Sequence, residues 1–316
     1  MIVHDGYENL EGIKNAVVTI GTFDGIHLGH QEIISRIIEL AKSVEGETAL
    51  VTFWPHPRYV LGNNQDDLKL LTTFDEKAAI LDQLGLDHIV RVHFTKEFSQ
   101  WTSEQFIQRI IISALHTKRL VIGYDHRFGK DREGGFEHLK KHSNRYGFEV
   151  EEIPKQTIDD VGISSTKIRN AIEDGKVELA HDFLGRYYEI NGEIVGGDKI
   201  GKTLGFATAN IQVEEPYKLV PADGVYAVTA ELKGQQYKAM LNIGYRPTVD
   251  GKTKKIEANI FDFNDDIYGE KIKINFIKRL REEIKFDSKA ALSKQLQKDK
   301  EKAIQILNQH LKNHSK

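Results

Sequence analysis

The stretch Gly21-Thr22-Phe23-Asp24-Gly25-Ile26-His27-Leu28-Gly29-His30 constrains the fold of this chain more than any other. Before it stands a β-branched run, Ala16 to Gly21. After it, from Gln31 to Ser43, Ile33, Ile34, Ile37, Ile38 and Ala41 recur at helical spacing. A strand, a glycine-rich turn and a helix in that order open a parallel sheet, and at the strand's C-terminal edge the helix dipole and unpaired N–H groups favour anions. Gly21, Gly25 and Gly29 let the backbone come close to a phosphate. His27 and His30 fall on one side of the first helical turn, where each can donate a hydrogen bond to a phosphoryl oxygen. From the residues alone a plain turn and a metal pair remain alternatives, the latter lacking acidic ligands at suitable spacing.

The rest of the first half keeps the same rhythm. Ala49 to Phe53, His88 to Phe94, Arg119 to Tyr124 and Phe148 to Ile153 read as strands. Asp75 to Leu84 reads as a helix, and Thr102 opens another with Gln105 at capping-box spacing. Such alternation predicts an α/β domain with a parallel sheet covered by helices. After about Gly185 the pattern changes. Tyr188 to Val195, Val225 to Leu232, Gln236 to Ile243, Lys255 to Phe263 and Lys271 to Ile277 are strand-like without long helices between them, which predicts an antiparallel barrel or sandwich. Ser288 then caps a terminal helix whose Leu292, Leu296, Ala303, Leu307 and Leu311 suit packing back on the sheet. The expected domains are 1–183 and 184–316.

Composition excludes several classes. The 44 basic and 47 acidic residues give a net charge of -3, no electrostatic basis for nucleic acid or an anionic membrane as main partner. The absence of cysteine removes thiolate sites and disulfides and fits a reducing compartment. Met1 to Lys14 is polar and does not read as a signal peptide, and no apolar run approaches a membrane span, so the cytoplasm is expected.

A second phosphate candidate is Gly162-Ile163-Ser164-Ser165-Thr166-Lys167-Ile168-Arg169, where hydroxyls lead into a helix start with Lys167 and Arg169 behind them. An ordinary N-cap is the alternative. Taken with the histidine loop, this stretch resembles the His-x-Gly-His and Ser-Ser-Thr-x-x-Arg motifs of the nucleotidyltransferase superfamily. More narrowly, Gly-x-Phe-Asp-Gly-x-His-x-Gly-His resembles the FMN adenylyltransferase module of bacterial bifunctional riboflavin kinase/FAD synthetases. Thr52-Phe53-Trp54-Pro55-His56-Pro57 and Gly123-Tyr124-Asp125-His126-Arg127-Phe128-Gly129, with Arg132 and Gly134, match the same family. The resemblance implies a Rossmann-like domain in which the phosphate of FMN attacks the α-phosphorus of ATP. Gly21, Phe23, Asp24, Gly25 and Gly29 would then line the phosphates and His27 and His30 stabilise the transferring group. Ser164, Ser165, Thr166 and Arg169 would hold the β/γ end, and Phe53, Pro55, His56, Asp125 and Arg127 would shape the flavin side.

In the second half Gly196-Gly197-Asp198-Lys199-Ile200-Gly201-Lys202-Thr203 satisfies the Walker A pattern, but Leu204 to Ile211 is poor helix material, so a P-loop fold is rejected. Continued through Gly205-Phe206-Ala207-Thr208-Ala209-Asn210, the segment resembles the riboflavin kinase signature, with Ala207 where relatives carry proline. The resemblance implies a riboflavin kinase-like barrel. Gly197, Lys199, Gly201, Lys202 and Gly205 would meet ATP, Thr208 and Asn210 would bring in Mg²⁺, Glu257 would act as general base and Arg281 would stand on the flavin side. The expected ligands are riboflavin, FMN, FAD and ATP. Two alternatives are another nucleotidyltransferase, for a pantetheine or nicotinamide nucleotide, and a flavin-binding regulator with an impaired site. An RNA-binding regulator is disfavoured by the lack of basic excess.

Overall fold

Val17–Ile20 (β2) is buried at every position, as a central strand covered on both faces must be. The computed structural model describes residues 1–10, 12–62, 68–124, 126–153, 162–196, 208–248, 251–263 and 265–314. In it β2 pairs in parallel with Thr48–Trp54 (β3) and Arg119–Gly123 (β5). Ile2–Asp5 (β1), His88–His93 (β4) and Glu149–Ile153 (β6) complete a six-stranded sheet in the order β1-β4-β3-β2-β5-β6, every pairing parallel.

Side-chain alternation distributes these strands between two cores. Val17, Leu50, Ile89 and Val121 face Leu28–Ser43 (α1) and Phe74–Gln83 (α3), meeting Ile33, Ile34, Ile37, Ile80 and Leu81. Their chain neighbours Val18, Val51, Val90 and Leu120 face the other way, toward Ile107, Ile110, Ile111 and Leu139. Those come from Ser103–Phe106 (α4), its π-helical continuation Ile107–Ala114, and Phe136–Tyr146 (α5). Pro57–Leu61 (α2) is a single short turn after β3. The expected capping box is formed: Thr102 accepts the N–H of Gln105 at 3.2 Å, and Gln105 accepts that of Thr102 at 3.0 Å. β1, α2 and α5 are additions to the expected elements.

The chain divides into two compact units, Met1–Ser165 and Thr166–Lys316. Ser165–Glu173 (α6) begins at this division, and Val177–Leu184 (α7) leads into the strands of the second unit. Tyr188–Val195 (β7), Ala209–Val213 (β8), Gly224–Leu232 (β9), Gln235–Thr248 (β10), Gly251–Ile260 (β11) and Lys271–Arg281 (β12) form a closed antiparallel barrel in the order β10-β11-β8-β7-β12-β9. Closure leaves no open strand edge, as the all-β grammar of this half requires. β8 occupies the segment that the sequence excluded from helix.

Lys289–His314 (α8) is capped by Ser288, whose Oγ accepts the N–H of Ala291 at 3.2 Å. Its Ala303 and Leu307 are fully buried against Val225, Ala227, Met240 and Phe261. Burying a leucine in this way stabilises by about 1.5–3 kcal/mol, so the helix is part of the barrel's core. No helix among the described residues is long and apolar enough to cross a membrane.

Candidate active sites

Between β2 and α1 the backbone is strained. Phe23 and Ile26 hold φ of 45° and 38°, and Gly25 holds 85°. For a β-branched residue such as Ile26 this is a true outlier, and each non-glycine case costs about 1–3 kcal/mol. The strained turn brings the two histidines together. His27, only 5% exposed, stands at the N-cap of α1, and its ring stacks on His30 with centroids 3.7 Å apart. The ring of Phe23 leans on His30 at 4.6 Å. Gln31 donates through Nε2 to the carbonyl of Ile26 at 3.0 Å, fastening the turn to the helix.

The loop is clamped from behind by a segment that sequence reasoning did not single out. The buried carboxylate of Asp24 accepts the N–H of Leu71 at 3.0 Å and that of Thr72 at 3.2 Å. Gly25 donates its N–H to Thr72 Oγ1 at 3.2 Å, and a Cβ on Gly25 would come within 2.7 Å of Leu71, so the glycine is needed for space as well as φ. Ser165 Oγ donates to the carbonyl of Asp24 at 2.9 Å. Lys77 reaches from α3 to the carbonyl of Thr22 at 2.5 Å and lies 3.4 Å from Thr52 Oγ1. Burial pushes the Lys77 ammonium down to about 8, with the Asp24 carboxylate opposing part of the shift. A signal for this segment was present: Thr73 and Glu76 form a capping box, and Lys77 lies next to the apolar positions Ile80 and Leu81.

The expected flavin-side residues are distributed unevenly. Phe53, at the end of β3, belongs to an aromatic cluster, 5.8 Å from Phe94, 6.0 Å from Phe98 and 6.2 Å from Phe106. Pro55 joins Tyr59, Val60 and Lys96 in lining a cavity of about 450 Å³. His56 accepts the N–H of Arg58 at 3.2 Å and so caps α2. Arg127 is exposed and donates to the carbonyl of His126 at 3.2 Å. Asp125 lies outside the described residues. Ser164 precedes α6, while Thr166 and Arg169 ride on it and belong to the second unit.

In the barrel, register places the candidates in one row. Glu257 on β11 stands directly opposite Asn210 on β8, and on its other side opposite Asn242 on β10. Val225 pairs with Asn242 and Val195 with Asn210, so Val225, Asn242, Glu257, Asn210 and Val195 cross five strands on one face. Ala227 and Met240 are cross-strand partners that pack beside α8, and Val225 and Asn242 are the next same-face pair in that ladder. The row therefore starts at the helix-covered part of the barrel. Thr208 immediately precedes β8 and is half-buried. Gly197, Lys199, Gly201, Lys202, Gly205 and Ala207 lie outside the described residues. Arg281 is engaged: its Nη2 and Nε donate to Asp299 on α8 at 2.8 and 3.0 Å, and Nη1 to the carbonyl of Glu282 at 2.9 Å.

Two family models match the chain in sequence order, FAD synthetase over residues 10–167 and riboflavin kinase over residues 184–307. A bifunctional riboflavin kinase/FMN adenylyltransferase of Bacillus subtilis is 39% identical over 97% of this chain and 97% of its own. Its namesake from Listeria monocytogenes is 41% identical over 91% of each chain. A solved Streptococcus pneumoniae structure, described as a macrolide-efflux protein, superposes with a TM-score of 0.87 at 34% identity, covering 95% of this chain and 98% of that one.

Proposed function

Because the chain belongs to the family of bifunctional riboflavin kinase/FMN adenylyltransferases, we propose that it phosphorylates riboflavin to FMN and adenylylates FMN to FAD, using ATP at two separate sites. The observation that carries this reading is the presence of both modules, in order, in one chain that matches its relatives over almost their whole length. Residues 1–183 would carry adenylyl transfer and residues 184–316 the kinase, a division supported by the edges of the two family matches at 167 and 184.

Adenylyl transfer needs no covalent intermediate. The FMN phosphate attacks the α-phosphorus in line, pyrophosphate leaves, and the protein contributes positioning and charge stabilisation. The stacked His27 and His30, set rigidly at the head of α1, suit donors whose hydrogen bonds strengthen as negative charge builds on the transferring group. The missing Cβ of Gly25 makes room for Leu71 and that of Gly21 for the Phe23 ring, so these glycines serve the phosphates by shaping the turn, while Gly29, Ser164, Ser165, Thr166 and Arg169 keep the phosphate-binding role that the resemblance implies. The cavity beside Pro55 is the proposed flavin side.

In the barrel Glu257 would accept the proton of the ribityl hydroxyl as it attacks the γ-phosphorus. The amide oxygen of Asn210, cross-strand from that carboxylate, and the hydroxyl of Thr208, two residues before it, are hard neutral donors, a set that fits Mg²⁺ arriving with ATP. Bound there, the ion would offset charge on the phosphates. For Arg281 the pairing with Asp299 supports an anchoring role ahead of flavin contact. ATP, Mg²⁺ and a cytoplasmic location are part of this proposal. Incubation of the purified chain with riboflavin, ATP and Mg²⁺, followed by chromatography, tests it: FMN appears first and FAD after it. A chain that yields neither flavin overturns the reading.

A further inference from the structure

We infer that Lys77 is a positioning residue for adenylyl transfer, holding the Gly21–His30 loop in its strained form by gripping the Thr22 carbonyl from within the sheet–helix core. The inference rests on the adenylyltransferase reading of the first unit and deepens it.

The loop is held in a conformation that its own residues disfavour. Two non-glycine residues, Phe23 and Ile26, sit in the left-handed region, and such strain persists only where the surroundings over-determine it. The bonds from Leu71, Thr72 and Ser165 all act on Asp24 and Gly25, in the middle of the turn. At the entry to the turn, where the chain departs from β2, Gly21 donates its N–H to the Val51 carbonyl at 3.0 Å, and the Thr22 carbonyl that follows needs a further partner. Lys77 supplies it, with Nζ 2.5 Å from the Thr22 carbonyl and 3.4 Å from Thr52 Oγ1, itself 3.4 Å from the same carbonyl. Entry and centre of the loop are thus fixed to one short segment, Leu71 to Lys77.

The choice of residue is informative. Lys77 lies on the buried side of α3 with Ile80 and Leu81, where an aliphatic side chain would pack without penalty. A buried ammonium is costly, and no carboxylate among the described residues lies within ion-pair distance of Lys77, so the Asp24 charge offsets only part of that cost. It brings a donor long enough to reach the loop and a positive charge behind a site for anions. That charge has a second task. Asp24 places a carboxylate directly under the phosphate loop, and by itself it would repel an incoming phosphate. Lys77 and this carboxylate act on each other electrostatically, while Glu76, the neighbouring acid, is turned into the Thr73 N–H at 2.9 Å. With Lys77 protonated the two charges at the back of the loop cancel. With Lys77 neutral a net negative charge remains beneath the site.

The experiment compares the unmutated full-length chain with K77M and K77R, measuring kcat and KM for FAD formation from FMN and ATP between pH 6.5 and 9.5. Riboflavin phosphorylation by the same samples is the internal reference. K77M is expected to lower kcat for FAD formation by about 10- to 100-fold, the loss that small misplacement of catalytic groups produces, with FMN formation unchanged. The unmutated chain is expected to lose FAD formation as pH rises through about 8. K77R, which keeps its charge throughout, is expected to hold its rate there. A purely structural lysine would alter thermal stability and leave the kcat of folded K77M and the alkaline limb untouched, and that result overturns the inference. Should K77M fail to fold, the unmutated chain and K77R still decide: identical alkaline limbs overturn it. No FAD from the unmutated chain would remove the adenylyltransferase reading itself and this inference with it, an outcome distinct from FAD formation that is indifferent to Lys77.

Discussion

Asn210 and Glu257 face each other directly across the β8–β11 ladder, the amide of the glycine-rich segment opposite the carboxylate of the strand that follows β10. Residues so paired have Cβ atoms about 4.5–5.5 Å apart, close enough for both to serve one phosphate and one hydroxyl. Asn242 flanks the same carboxylate from the other side.

From this pairing, E257Q is expected to slow riboflavin phosphorylation by about 10²–10⁴-fold, the usual worth of a general base, while FAD formation from added FMN continues. Because the two residues are direct cross-strand partners, N210A and E257Q are expected to be non-additive by about 0.5–3 kcal/mol in a double-mutant cycle on kcat/KM. Strict additivity would place the two residues in different sites.

His30 lies between Phe23 and His27, so its ring is a packing element as well as the proposed donor. H30A is expected to reduce FAD formation by about 10²–10³-fold, as removal of an oxyanion donor does, and to stop the chain at FMN. H30Q, which keeps an N–H donor, should recover part of the rate. If H30Q is no better than H30A while both bind FMN normally, the ring matters for packing and the donor role is wrong.

How far the sequence disclosed this molecule follows from the range of each interaction. The alternation that sends Val17 to one core and Val18 to the other is local, and so is the Thr102–Gln105 capping box; both were readable. β1 was not, because Ile-Val-His-Asp is short and exposed and becomes a strand only through its pairing with β4. β8 was hidden for a similar reason, with Ile211 its one buried residue. The histidine pair stood out by spacing, whereas the carboxylate of Asp24 reaches an N–H 47 residues away, which no local pattern announces. The glycine-rich run from Gly197 to Ala207 was conspicuous in the sequence and lies outside the described residues.

Arg281 illustrates a motif residue with two possible uses. Its pair with Asp299 is largely buried, with side-chain exposures of 19% and 4%. In R281M the Asp299 carboxylate would keep only the Gln295 amide, now 2.9 Å away. Removing one partner of such a pair costs about 3–5 kcal/mol. Chemical denaturation of R281M should show a loss of that size, and the KM for riboflavin of the folded protein should stay within about threefold, since a rim contact contributes little to affinity. A rise in KM at unchanged stability would return Arg281 to the flavin side.

The last prediction concerns the stability cost of Lys77. Burial lowers its pKa to about 8 in the folded chain, while the unfolded chain titrates near 10.4. Between those values the unfolded state binds more protons than the folded one, so stability attributable to this residue rises with pH through that window. Below about pH 8 the full penalty of a buried charge is present; above about pH 10.5 it is gone. K77M carries no such penalty at any pH. Its stability advantage over the unmutated chain is therefore expected to shrink by about 3 kcal/mol between pH 7 and pH 11, from roughly two and a half pKa units at about 1.4 kcal/mol each. Urea denaturation of both proteins across that range measures the difference directly. A pH-independent gap would mean that Lys77 titrates normally and that its ammonium is no burden to the fold. A gap that narrows as expected, together with slower FAD formation by K77M, would mean that the residue sacrifices stability in order to hold the loop.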